Sequence, residues 1–180
     1  NPGGGVWDGL TFLGRAKQTD FDLAGQEVAV IGGGNTAMDV AVTASRCGAA
    51  DVYMLYRRSF EQMPAWASER DRALDEGVHI MVLSQPVEYV AEQGELQGVK
   101  VCPTRLGAPD DSNRRRPEPQ TENSYMLPVD MAVEAVGQTL PPNMESILSD
   151  VKFDDGLVRV RPGTLETDAP GIFAGGDIVR

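Results

Sequence analysis

Glu27-Val28-Ala29-Val30-Ile31-Gly32-Gly33-Gly34-Asn35-Thr36-Ala37-Met38 is the stretch that decides the fold. Five residues rich in β-branched side chains, closed at once by three glycines, read as a short buried strand. Small and apolar residues then recur at helical spacing (Ala37, Met38, Ala41, Ala44, Cys47) until Gly48 supplies a C-terminal stop. The turn between them fits G-x-G-x-x-A. Gly32 permits the tight turn, Gly34 lets the backbone approach a pyrophosphate with no Cβ in the way, and Ala37 lets the helix pack close to the strand. The first-turn amides, from Asn35 and Thr36 onward, face the phosphates, and the helix dipole adds positive potential. A glycine turn by itself also suits a ligand-free strand–helix unit, so the neighbouring strand carries the next part of the argument.

Asp51 to Tyr56 is that second strand. Arg57 to Pro64 is a polar loop, Ala65 to Glu76 a charged helix ended at Gly77, and Val78 to Leu83 a third strand. Alternating strands and helices predict a parallel α/β unit. A unit built for NAD places Asp or Glu about 20 residues beyond the glycine turn to hold the adenosine ribose. Here Met54-Leu55-Tyr56 fill that region, and Arg57-Arg58-Ser59 follow. Two guanidiniums and a hydroxyl suit a 2′-phosphate, so NADPH is preferred over NADH. The plainer reading is a solvated basic turn.

The pattern then changes. Pro86 to Ala91 and Leu96 to Thr104 alternate like antiparallel strands joined around Gly94, and Ser124 to Leu127 is a candidate third strand of a meander. Residues 107–121 read as a polar, mobile loop. Val129 to Val136 returns as an apolar strand ending at Gly137, and Pro141-Pro142 follow. Asp154-Asp155-Gly156 is a turn before a strand over Leu157 to Val160.

With 180 residues the chain suits one domain and an attached fragment. Its net charge of −11 argues against a nucleic-acid partner. Residues 1–117 carry 12 basic and 16 acidic groups, and residues 118–180 carry 4 and 11, so phosphate chemistry belongs in the first part. No apolar run approaches the ~18 residues of a membrane span. Cys47 and Cys102 form no CxxC pair, and a reduced, cytoplasmic compartment is expected. Asn1-Pro2-Gly3-Gly4-Gly5 lacks both a Met and a signal-peptide pattern, and reads as a cut end.

Val30 to Asp39, Tyr56-Arg57-Arg58-Ser59, Glu61 to Trp66 and Ala135-Val136-Gly137-Gln138 together resemble the NADPH-binding domain of the glutamate synthase small-subunit family. That family belongs to the flavoproteins with two dinucleotide-binding domains. Thr167 to Asp177 resembles the second FAD signature of the same superfamily. The resemblance implies a Rossmann-like three-layer α/β domain with a parallel sheet and an antiparallel meander crossover, joined to fragments of a severed FAD domain. Residues 1–24 would be a lead-in from the FAD half, 25–140 the NADPH-binding domain, and 141–180 the return toward the FAD domain. It also implies that Gly32, Gly33, Gly34, Asn35, Thr36 and Ala37 hold the NADPH pyrophosphate, and Arg57 and Arg58 the 2′-phosphate. Gly137 and Gln138 would lie near the nicotinamide, with Gly176 and Asp177 at the FAD ribityl chain. Phe60 departs from relatives that carry a further basic residue in that stretch.

The implied partners are the missing FAD half of the chain and an electron-accepting subunit or domain, an iron–sulfur protein among the candidates. Because the cofactors carry the chemistry, no side-chain acid or base is required and no metal is expected. The isolated piece is expected to be inactive. Two other readings stand beside this one. One is a non-catalytic dinucleotide-binding or sensing module. The other is a thioredoxin-reductase-like enzyme, which the missing CxxC counts against. His79 reads as a packed or edge-strand histidine rather than a general base, Arg114-Arg115-Arg116 as a solvated loop rather than an anion site, and Asp110-Asp111 as a turn. Glu134 reads as a side chain at an exposed edge or strand end, with a buried acid as the alternative, and Trp7 and Trp66 as packing residues.

Overall fold

The computed structural model describes residues 5–18, 20–109, 114–137 and 143–179. In chain order the first part contains β1 (Val6–Asp8), α1 (Gly9–Arg15), β2 (Glu27–Ile31), α2 (Asn35–Arg46), β3 (Asp51–Tyr56), α3 (Ala67–Asp75) and β4 (His79–Val82). There follow β5 (Ser84–Glu92), β6 (Glu95–Pro109), β7 (Arg115–Pro119), β8 (Tyr125–Leu127) and β9 (Met131–Glu134). The last part holds α4 (Met144–Ile147) and a hairpin of β10 (Phe153–Asp154) and β11 (Leu157–Val158). Two compact units result, Asn1–Gly137 and Gln138–Arg180.

The larger unit has three layers about a parallel sheet of order β1-β9-β2-β3-β4. Strand alternation sends Val28, Val30, Val52, Met54 and Val133 to the helical face, where they bury Met38, Val40 and Ala41 of α2 and Phe12 of α1. Ala29, Ile31, Leu55 and Ala132 face the other way, onto Leu96, Val99 and Val101 of the antiparallel sheet. Both faces are covered, which is why β2 and β3 read as continuous apolar runs. In the antiparallel sheet β6 pairs with β5 along one edge, while β7 and β8 pair with successive stretches of it.

The structure differs from the sequence reading in three places. Residues 1–24 were expected to be a lead-in. Instead β1 pairs in parallel with β9, and Phe12 and Leu23 are fully buried in the helical-face core. Asp8 accepts from the Leu10 and Thr11 amides at 3.0 Å, capping α1.

Residues 107–121 were expected to be a mobile loop. Arg115 to Pro119 is instead strand β7, paired with Thr104 to Pro109. Pro117 and Pro119 are tolerated there because, among the described residues, β7 pairs only with β6. The expected turn at Asp110-Asp111 lies outside the described residues. Trp66 was expected to pack, but it is 68% exposed just before α3, whereas Trp7 does pack, edge-on to Phe21 at 6.3 Å.

His79 stands on edge strand β4, exposed, bonded to Asp51 at 2.9 Å and stacked on Tyr53. Glu134 is the exposed end of β9.

The smaller unit is described separately. Asp155 (φ +50°) and Gly156 (φ +74°) make the two-residue turn of the β10–β11 hairpin, as Asp-Gly favours. Val151, Val158 and Ala169 form its buried centre. Thr167 is buried, and its Oγ1 accepts from the Ala169 amide at 3.2 Å. Gly176 opens a single 3-10 turn, Gly176–Ile178, after which Val179 bridges to Val158.

Candidate functional site

The strand order reverses between β2 and β9. β3 and β4 continue the sheet to one side of β2, and β9 lies on the other. The crevice at the carboxyl ends of these two strands is where open α/β sheets bind ligands. The glycine turn lies in it. Gly32 holds φ +144°, and a Cβ there would collide with the Ala135 carbonyl oxygen while lying 3.2 Å from the Ala37 Cβ. Gly32 and Ala37 therefore let β2, α2 and the exit of β9 close on one another, with Ala37 fully buried. A Cβ on Gly33 would collide with the Tyr56 ring. Around Gly34 nothing lies within 4 Å of an added Cβ. The turn is thus closed on its protein side and open at the helix N-terminus.

Further bonds fix that geometry. The Gly32 amide donates to the Leu55 carbonyl at 3.1 Å, and the Ala65 amide donates to Gly33 at 3.1 Å. Asn35 Oδ1 accepts from the Trp66 amide at 3.0 Å, so Asn35 anchors the following loop. Gly34 is the N-cap of α2 and provides no side-chain cap, leaving the first-turn amides of Asn35 and Thr36 for an anion.

The two arginines after β3 part company. Arg57 is exposed, whereas Arg58 is buried, and its Nε donates to the Arg115 carbonyl at 3.0 Å. The Arg57 carbonyl accepts from Thr104 Oγ1 at 2.8 Å, and the Arg58 carbonyl from the Leu83 amide at 3.0 Å. Arg115 folds its own guanidinium back onto the Gly107 and Leu106 carbonyls, stiffening the arm that Arg58 grips.

The β6–β7 arm therefore holds the arginine loop from above. Thr104 and Arg115 lie 47 and 57 positions from their partners, and no local pattern points to them. Glu134 and Tyr89 at the β9 end are a second pair the sequence did not connect. The Tyr89 hydroxyl donates to Glu134 Oε1 at 2.6 Å. Burial first, and then that carboxylate, push the Tyr89 phenol well above its ordinary range.

Gly137 follows β9 with φ +120° and open space where a Cβ would be. Gln138 lies outside the described residues. Gly176 belongs to the smaller unit, with φ +77° and open space beside it, and Asp177 sits in its 3-10 turn. The structure brings the glycine turn, Arg57 and Gly137 to one edge of the parallel sheet. Among the described residues no group of His, Cys, Asp and Glu could hold a metal, and no helix is long and apolar enough to cross a membrane.

Three layers, a switch point and an open glycine turn define a Rossmann-type nucleotide-binding unit. The chain belongs to the pyridine nucleotide-disulphide oxidoreductase family, whose match runs over residues 2–180. It is 43% identical over 188 residues to the NADP(+)-dependent formate dehydrogenase subunit beta of Moorella thermoacetica, covering 98% of this chain and 25% of that protein. It is 37% identical to the glutamate synthase [NADPH] small chain of Escherichia coli K12, covering 98% of this chain and 41% of that one. Of solved structures, a thioredoxin reductase from T. acidophilum superposes with a TM-score of 0.67 at 20% identity, covering 98% of this chain and 50% of that one. An FAD-dependent pyridine nucleotide-disulphide oxidoreductase from Desulfovibrio vulgaris gives 0.59 at 18% identity, with 98% and 41% covered. The expected family and fold class are both borne out. The chain spans less than half the length of the two curated relatives described.

Proposed function

We propose that the crevice at Gly32–Ala37 binds NADPH, and that the chain is the NADPH-binding part of a flavoprotein oxidoreductase of the glutamate synthase small-chain kind. The observation that carries this is the open turn at Gly34 beside an exposed Arg57, with no ribose-binding acid at the end of β3. The residues fit the group. A pyrophosphate has unobstructed access to the first-turn amides of α2, and a 2′-phosphate would meet a guanidinium where an NAD site would offer a carboxylate. The names of the two curated relatives specify NADP(+) or NADPH.

In this reading the arginine pair divides its work. Arg57 meets the 2′-phosphate, and Arg58, committed to the Arg115 carbonyl, sets the loop that presents it. Gly33 and Asn35 tie the turn to the loop before α3, so the cradle is formed before the ligand arrives. Gly137 would lie toward the nicotinamide end, and Gly176 and Asp177 would serve the ribityl chain of FAD. The bound nicotinamide and flavin supply hydride transfer, and the protein supplies position and field.

Ile172 (44% exposed) and Phe173 (63% exposed) give the smaller unit an apolar surface, which supports further FAD-domain residues packing on it. Electrons would then pass to a partner subunit or domain, an iron–sulfur protein among the candidates, in the cytoplasm. The test is a binding titration of the chain with NADPH and NADH, repeated on Arg57→Ala. Tighter binding of NADPH that is lost in the variant is expected, and equal affinities would overturn the reading.

A further inference from the structure

The carboxyl edge of the parallel sheet is electrically lopsided. Arg57 and Arg58 stand at the end of β3, while on the far side of the glycine turn the last strand residues in register are Asp8 of β1 and Glu134 of β9. Glu134 pairs in register with Ile31, the residue before Gly32, and the next amide, Ala135, donates to the Ile31 carbonyl at 2.8 Å. Glu134 therefore stands directly across the switch point from the turn.

The two carboxylates are not equivalent. Asp8 spends its Oδ1 on the Leu10 and Thr11 amides, capping α1. Glu134 is exposed, yet its orientation is fixed by the Tyr89 hydroxyl at 2.6 Å, a short charge-assisted bond from the antiparallel sheet. Tyr89 is half-buried and remains protonated at ordinary pH, so it stays a donor. Among the described residues no cation forms an ion pair with Glu134. A carboxylate is thus held at a fixed place, with its charge uncompensated, at one end of a crevice whose other end is basic.

This inference rests on the NADPH reading. A dinucleotide with its pyrophosphate on Gly32–Ala37 and its adenosine toward β3 runs its other half across the switch point, toward β9. The oxidised nicotinamide ring carries a positive charge, and the reduced ring does not. We propose that Glu134, oriented by Tyr89, is a specificity-determining residue for the nicotinamide half, favouring NADP+ over NADPH. Holding the oxidised form more tightly makes hydride loss from the bound cofactor easier. Tyr89 is a positioning residue that acts through Glu134.

The test is equilibrium binding of NADP+, NADPH and 2′,5′-ADP to the 180-residue chain and to its Glu134→Gln and Tyr89→Phe variants. Glu134→Gln is expected to raise the ratio Kd(NADP+)/Kd(NADPH) about fivefold, as for one unit charge acting through a partly solvated dielectric. Affinity for 2′,5′-ADP, which lacks the ring, is expected to stay unchanged. Tyr89→Phe moves the ratio the same way by a smaller factor. An unchanged ratio, or equal weakening of both redox forms, with 2′,5′-ADP still bound overturns the role of Glu134 alone. Failure of the wild-type chain to bind 2′,5′-ADP overturns the NADPH reading and this inference with it.

Discussion

Replacing glycine by alanine at two positions of one turn separates packing from ligand access. At Gly32 the substitution puts a side chain at φ +144°, a region that costs a non-glycine residue about 1–3 kcal/mol. It also drives a methyl group into the Ala135 carbonyl, a backbone atom held by its own strand. A destabilisation of about 3 kcal/mol follows from the two together, which for a unit of this size lowers Tm by roughly 10 °C. Gly34 has φ −91° and ψ 176°, which alanine adopts freely, and nothing within 4 Å to strike. Losing glycine at the N-cap costs about 0.5–1 kcal/mol, and the stiffer unfolded chain returns a similar amount. Gly34→Ala should therefore keep Tm within about 3 °C of wild type. Its methyl group nevertheless occupies the approach to the helix N-terminus, so NADPH affinity should fall at least about tenfold, or about 1.4 kcal/mol. Differential scanning calorimetry and a fluorescence titration on the same preparations read both quantities. Wild-type NADPH affinity in Gly34→Ala would refute the assignment of this backbone to the pyrophosphate, and an unchanged Tm in Gly32→Ala would refute the packing argument.

Other outcomes follow from the same geometry. Arg57→Ala should weaken NADPH about tenfold while leaving NADH affinity unchanged, read by paired titrations. Arg58→Ala removes the charge-assisted bond from a buried guanidinium to the Arg115 carbonyl, so denaturant unfolding should show a loss of about 1.5–3 kcal/mol. Tyr89 should make stability fall at alkaline pH. Its folded pKa lies above the unfolded value of about 10, so the native state keeps the proton more tightly, and this stabilisation is full below about pH 10 and lost as pH rises further. Urea midpoints at pH 9 and pH 11 should differ more for the wild-type chain than for Tyr89→Phe.

The parallel core was legible because its signals are local. Glycines bracket β2, Asp51 to Tyr56 form β3 with no shift in boundary, and Gly48 and Gly77 mark the ends of the two helices. What escaped was non-local. β1 is three residues long and pairs with a strand more than 120 positions away, so its short apolar stretch had no period to read. β7, Arg-Arg-Pro-Glu-Pro, has the composition of a loop, and it is a strand only because β6 runs on for 15 residues and offers it an edge. The glycine turn and the arginine pair could be named from spacing. The separation of Arg57 from Arg58 could not, because the Arg115 carbonyl that draws Arg58 inward comes from that same unread strand. Glu134 reads from sequence as a side chain at an exposed edge or strand end, with a buried acid as the alternative, and its bond to Tyr89 exists only once the antiparallel sheet packs on the parallel one.

The central claim is that this crevice takes a 2′-phosphorylated dinucleotide. Isothermal titration of the chain with NADPH and NADH, under one buffer and one ionic strength, tests it most directly. The account predicts one site, with NADPH bound at least about tenfold more tightly than NADH through Arg57. Equal affinities for the two, or no binding of either, would contradict it.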